Sequence, residues 1–98
     1  MNLNPKETFR KNGFDFKLIK SEEVFAIYEL SYLGDVRGYE VHKLRKIPSL
    51  ASFNDKIIND YIKYPSNEDF GKYGWGYSFL KDAEDKLQEL KKGLNQNG

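Results

Sequence analysis

The side chains able to move a proton or hold a metal are few and scattered along the chain. The single histidine, His42, lies between Val41 and Lys43, and one histidine alone cannot build a multi-histidine zinc site. With no cysteine among 98 residues, thiolate ligands, cysteine nucleophiles and disulfides are excluded together. Carboxylates cluster at Glu68-Asp69 and at Asp82, Glu84 and Asp85. Both clusters fall where helical turns are expected to begin, and negative charge there satisfies free N–H groups and the helix dipole, so capping accounts for them. Glu29 and Glu40 form the one pair whose mutual repulsion could raise a carboxyl pKa into the range useful for acid–base work, provided that a hairpin places them opposite each other. The glycine stretch GKYGWG is neither the GxxxxGK[ST] phosphate loop nor a GxGxxG turn, and its aromatic rings obstruct the backbone approach that phosphate binding needs. The reading is of a protein that is not an enzyme and uses no metal or cofactor.

Binding chemistry is better represented. In RGYEVHKLRK, cations Arg37, Lys43, Arg45 and Lys46 are interleaved with Tyr39. On a regular strand Arg37, Tyr39, Val41, Lys43 and Arg45 share one face, joined across a hairpin by Tyr28 and Tyr32. Cations beside flat rings on an open sheet are how single-stranded nucleic acid is commonly gripped. RGY also begins like the RNA-recognition strand motif, but Glu40 stands where a small residue belongs and the βαββαβ element order is missing. The competing reading, an edge strand guarded from aggregation by its charges, is the simpler one. A second candidate surface is Phe70, Lys72, Tyr73 and Trp75, in a stretch that also holds Tyr77, Phe79 and glycines 71, 74 and 76. Either this stretch is an aromatic clasp closing the core, with Trp75 buried against the C-terminal helix, or it is a binding platform.

The elements that position these residues follow from periodicity. Residues 1–12 are polar apart from Leu3 and Phe9 and are expected to be a mobile lead-in. In FDFKLIK, Phe14, Phe16 and Leu18 alternate with Asp15 and Lys17, and Ile19 breaks the alternation; the period is that of a strand. VFAIYELSYL is apolar on both alternating sets, as a central strand with a layer on each side requires. Gly34-Asp35 as a two-residue hairpin loop returns the chain through VRGYEVHKLRKI and places Glu29 opposite Glu40. Leu50, Phe53, Ile57, Ile58, Tyr61 and Ile62 make one apolar helical stripe, stopped near Pro65. Ser66 with Asp69 reads as a capping box. Leu80, Ala83, Leu87, Leu90 and Leu94 define a second helix, with Ser78 as its cap and Gly93 as its close. The fold expected is α+β: a three-stranded antiparallel β-meander followed by two α-helices packed on one face, with the aromatic and glycine-rich loop between the helices. It is a single domain with a core over 13–92 and a frayed tail over 93–98.

An apolar fraction of 39% is low, but seven Phe, seven Tyr and one Trp supply large burial per residue. Net charge is +1, from 16 basic and 15 acidic residues, so any electrostatic role belongs to local patches. No apolar run approaches a membrane span and the start lacks a signal-peptide core, which with the lack of cysteine predicts a cytoplasmic protein. GYEVHKLRK (Gly38 to Lys46) and YPSNEDFGKYGW (Tyr64 to Trp75), followed by SFLKDAEDKLQEL, resemble small uncharacterised proteins encoded by bacteriophages and prophages, over roughly residues 14 to 92. The resemblance implies a phage-type origin in a bacterial host cell and carries no activity. The function expected is an accessory protein that binds a host or phage protein, as an inhibitor of a host factor or as a small homo-oligomer. The alternative is a nucleic-acid-binding module using residues 37–46, and an enzyme comes third.

Overall fold

The computed structural model describes residues 4–47 and 61–96. Strands β1 (Thr8–Lys11), β2 (Phe14–Glu22), β3 (Phe25–Tyr32) and β4 (Asp35–Lys43) form an antiparallel meander. Two short strands, β5 (Arg45–Ile47) and β6 (Tyr61–Lys63), pair with each other as a separate ribbon. A 3₁₀ turn at Asn67–Asp69 leads to β7 (Gly74–Tyr77), which pairs with β4, and α1 (Leu80–Gln96) ends the described chain. The five-stranded sheet therefore runs β1-β2-β3-β4-β7.

This overturns the expected three strands and two helices. The aromatic and glycine-rich stretch does not loop between helices: its GWGY segment is a sheet strand on β4. Tyr61 and Ile62, read as the end of a helical stripe, belong to β6, because an aromatic next to a β-branched residue suits a pleated surface as well as a helix face. The rest of that expected helix lies outside the described residues. Thr8–Lys11, expected in a mobile lead-in, is the edge strand β1, with Phe9 stacked on Phe16 at 4.5 Å between ring centroids. α1 continues past Gly93 to Gln96, so Gly93 does not close it.

The sheet has a core on each face, which is why β3 is apolar at every position from Phe25 to Tyr28. On one face Phe25, Ile27 and Val41 pack beneath Ala83 and Leu87 of α1, flanked by Tyr39, Trp75 and Tyr77. Trp75 meets the helix as expected but is only half-buried, with the Lys86 ammonium 5.0 Å from its ring centroid. On the opposite face Phe16, Ala26 and Tyr28 pack with Leu44, Ile62 and Tyr64. Tyr28 donates a 2.7 Å hydrogen bond to the Lys6 carbonyl and Tyr64 accepts one of 2.8 Å from the Lys6 N–H, so both main-chain groups of one residue in the entering chain are held by phenols. Burial pushes the Tyr28 phenol well above its ordinary value, and the neighbouring Tyr64 adds to the effect.

Two bulges adjust the strands. Between Leu18 and Lys20 of β2 the register slips by one, and Ile19 is the extra residue. The break in alternation that Ile19 makes in the sequence is this bulge. In β4, Leu30 faces Gly38 and Ser31 faces Val36, leaving Arg37 as the second bulged residue.

Candidate functional site

The β3–β4 turn comprises Leu33 and Gly34, at φ +51° and +87°, one residue earlier than the expected Gly34-Asp35 loop. Gly34 does take a positive φ. The earlier turn and the bulge at Arg37 together pair Glu29 with Tyr39, and the bulge sends Glu40 to the other face, so the Glu29/Glu40 pair does not exist. Leu33 occupies a left-handed conformation that costs a side chain with Cβ roughly 1–2 kcal/mol, and it is 77% exposed. The β1–β2 hairpin at the same end of the sheet uses Asn12-Gly13 at φ +54° and +84°, the residue pair that tolerates this geometry best.

β7 runs antiparallel to β4, so its exit reaches this end too. Helix α1 begins at Leu80, and the Phe79 carbonyl accepts the Ala83 N–H at 3.3 Å. Phe79, not Ser78, therefore sits in the capping position, where a short polar side chain is strongly preferred. It is 69% exposed, and Val36 is 53% exposed. Leu33, Val36 and Phe79, with the half-stripped Tyr32, give one end of the sheet an apolar character that its local conformation does not reward. The sequence signal for this was available: LG where NG is favoured, and SF before a helix.

The basic stretch is split three ways. Arg37 projects from the bulge, exposed, with its guanidinium carbon 5.8 Å from the Tyr32 ring. Tyr39 and Lys43 alternate with buried residues on the face that carries α1, opposite Glu29 and Phe25. Arg45 leaves the sheet for the β5–β6 ribbon, where its guanidinium stacks 3.8 Å over Tyr73 and bonds Asp69 at 2.9 Å. Lys46, exposed, follows it. The expected common face of Arg37, Tyr39, Lys43 and Arg45 is thus absent, because a bulge and a change of sheet interrupt the alternation on which it depends.

Tyr73 is half-buried under Arg45, with Lys72 5.4 Å from its ring; Phe70 is exposed at the edge and bridges Gly74. Ser66 and Asp69 do form the capping box. The Ser66 N–H, then its hydroxyl, Arg45 and Lys63 hold the Asp69 carboxyl below the ordinary aspartate value.

Glu40 now faces a different partner. One of its oxygens lies 2.8 Å from Nε2 of His42, which is 3% exposed among the rings of Phe16, Tyr28 and Tyr64, with no hydrogen-bond partner for Nδ1 among the described residues. Beside Glu40 the sheet is bare, because Gly38 and Gly76 occupy neighbouring positions on β4 and β7; they floor a cleft of about 340 Å³. Gly38 is dictated by packing, since a Cβ there meets the Tyr77 carbonyl oxygen at 2.8 Å. Among the described residues no three His, Cys, Asp or Glu side chains gather as metal ligands, and no described helix is long and apolar enough to cross a membrane.

Among the described residues these features define a five-stranded antiparallel sheet with one helix on one face, apolar side chains exposed at one end and a glycine-floored cleft on the face opposite the helix. Comparison with protein-family models, with curated proteins and with solved structures finds no match.

Proposed function

We propose that this chain is a non-enzymatic, phage-type accessory protein that acts by binding another protein, of the host or of the phage, through the end of the sheet that carries Leu33, Val36 and Phe79. The observation that carries the reading is that Leu33 and Phe79 are each disfavoured twice. Each is exposed, and each stands where its local conformation prefers a polar residue or glycine. Strained or exposed choices of this kind persist when something other than folding rewards them. The Arg37 guanidinium at the rim favours a partner with carboxylates around an apolar patch.

The test is quantitative capture from a bacterial host lysate by the parent and by the double variant Leu33→Asn/Phe79→Ser. The expected result is a discrete protein retained by the parent and lost by the variant, whose melting temperature is equal or higher. Equal capture by both overturns the reading. The nucleic-acid alternative has less support, since Arg45 is committed to Tyr73 and Asp69. It predicts micromolar oligonucleotide binding with a steep salt slope. We expect none.

A further inference from the structure

The two edges of the sheet are guarded differently. An edge strand offers unpaired N–H and C=O groups, and proteins usually blunt it with charge or proline. β1 carries Arg10 and Lys11, whereas β7 reads Gly74-Trp75-Gly76-Tyr77, with neither charge nor proline. The direction of its peptides can be followed one by one. The Tyr73 carbonyl accepts the Lys43 N–H at 2.8 Å and the Tyr77 carbonyl approaches Gly38, so both point toward β4. The Gly74 carbonyl points the other way, to the Gly71 N–H at 2.7 Å. Strand alternation then turns both the N–H and the C=O of Gly76 outward, and Gly76 is exposed, with no described strand on that side.

On the face opposite α1, the floor of Gly38 and Gly76 is walled by Phe14 and Leu30 and bounded by Arg37 and Glu40. Glu40 pairs directly with Gly76 across the ladder, so no side chain lies between its carboxylate and the open edge. His42 engages one carboxylate oxygen, and no other described residue bonds Glu40. A strand added outside β7 would lie about two strand spacings, ~9.5 Å, from β4. A lysine or arginine stem laid over Gly76 bridges that gap while resting on apolar wall.

The geometry points to the outer edge of β7 as a docking site for an extended segment of the protein partner, paired to the main chain of Gly76 and sending one basic side chain across the glycine floor to Glu40. This rests on the protein-binding reading and names its mode. The main-chain fork supplies affinity and the single pocket supplies selectivity, as in β-strand addition generally. Arg37 at the far end of the cleft selects against a second cation.

The test uses ¹⁵N-labelled full chain titrated with capped hexapeptides that differ only in one central residue, Lys, Gln or Glu. The Lys peptide is expected to give saturable shifts at the amides of Gly38, Gly76 and Ser78. The Glu peptide should bind at least about tenfold more weakly, as loss of a charge-assisted contact implies. Glu40→Gln should abolish the Lys preference. Gly76→Lys, which fills open space, should remove binding without lowering the melting temperature. No saturable shift, or equal affinity for the Lys and Glu peptides, overturns the site. Capture abolished by Leu33→Asn/Phe79→Ser with no peptide shift overturns the edge site alone. Peptide binding with capture indifferent to that variant upholds the edge site and overturns the sheet-end reading.

Discussion

Asp69 gathers three short polar contacts, two within its own turn, from the Ser66 N–H at 3.0 Å and the Ser66 hydroxyl at 3.1 Å, and one from Arg45 of the ribbon at 2.9 Å. These donors favour its charged form and hold its carboxyl below the usual aspartate value of 3.8. As acid is added, the unfolded chain takes up a proton at Asp69 before the folded chain does. The contribution to stability is therefore complete well above pH 3.8 and is lost as pH falls below it. Urea midpoints measured from about pH 2 to 6 should fall more steeply for the parent than for Asp69→Asn. The glycines offer a sharper contrast. Gly38→Ala places a Cβ 2.8 Å from the Tyr77 carbonyl oxygen and should cost about 1–3 kcal/mol. Gly76→Ala meets nothing within 4 Å and should stay within about 0.5 kcal/mol of the parent in the same urea melts.

Two hairpins at one end of the sheet use the same left-handed pair of conformations with different residues, Asn12-Gly13 and Leu33-Gly34. Replacing Leu33 by Asn should stabilise the protein by about 0.5–1 kcal/mol, because Asn tolerates positive φ and removes an exposed apolar side chain. Gly34→Val, at φ +87°, should destabilise by more than about 1 kcal/mol. Thermal melts of the two variants check the turn directly, and a stabilised Leu33→Asn that no longer binds would tie that residue to contact rather than folding. At the other end of the corner, Phe79→Ser supplies the missing cap and should likewise raise the melting temperature.

Across the whole molecule, stability depends on two unequal cores joined by β3. Leu87→Ala empties space beneath α1 and should cost about 2–5 kcal/mol, weakening the helix face. Tyr28→Phe acts on the other face. It leaves the Lys6 carbonyl without its donor, should cost about 1 kcal/mol, and should speed hydrogen exchange of β1 amides more than those of β7. The same variant reports on alkali. The buried phenol keeps its proton in the folded state after the unfolded chain has lost it, so the parent's stability is whole below pH 10.0 and declines above it. In Tyr28→Phe that part of the alkaline decline should vanish.

Local pattern was enough to read the meander from Phe14 onward, the C-terminal helix, the Ser66/Asp69 capping box and the positive φ of Gly34, because each depends on neighbours within a few residues. The Asn12-Gly13 hairpin was also legible in the residues, and with it β1; the polarity of the first twelve positions concealed it. What no local pattern holds is the register of β3 on β4. A bulge at Arg37 and a turn one residue early are decided by what β4 packs against, including the Tyr77 carbonyl that forces glycine at 38. From that register follow the loss of the Glu29/Glu40 pair and, with the exit of Arg45 to the ribbon, the dispersal of the basic face; the Glu40–His42 contact lies within β4, where alternate residues share a face, and the register sets only which face that is. Pairing of GWGY with β4 is likewise a long-range event. Two glycines between aromatics read as loop by propensity, and become a strand because β4 offers an edge whose hydrogen bonds would otherwise go unmade. Composition and periodicity settled which segments could bury apolar surface; only tertiary contact decided which faces met, since side-chain direction along a strand reverses with a shift of a single residue.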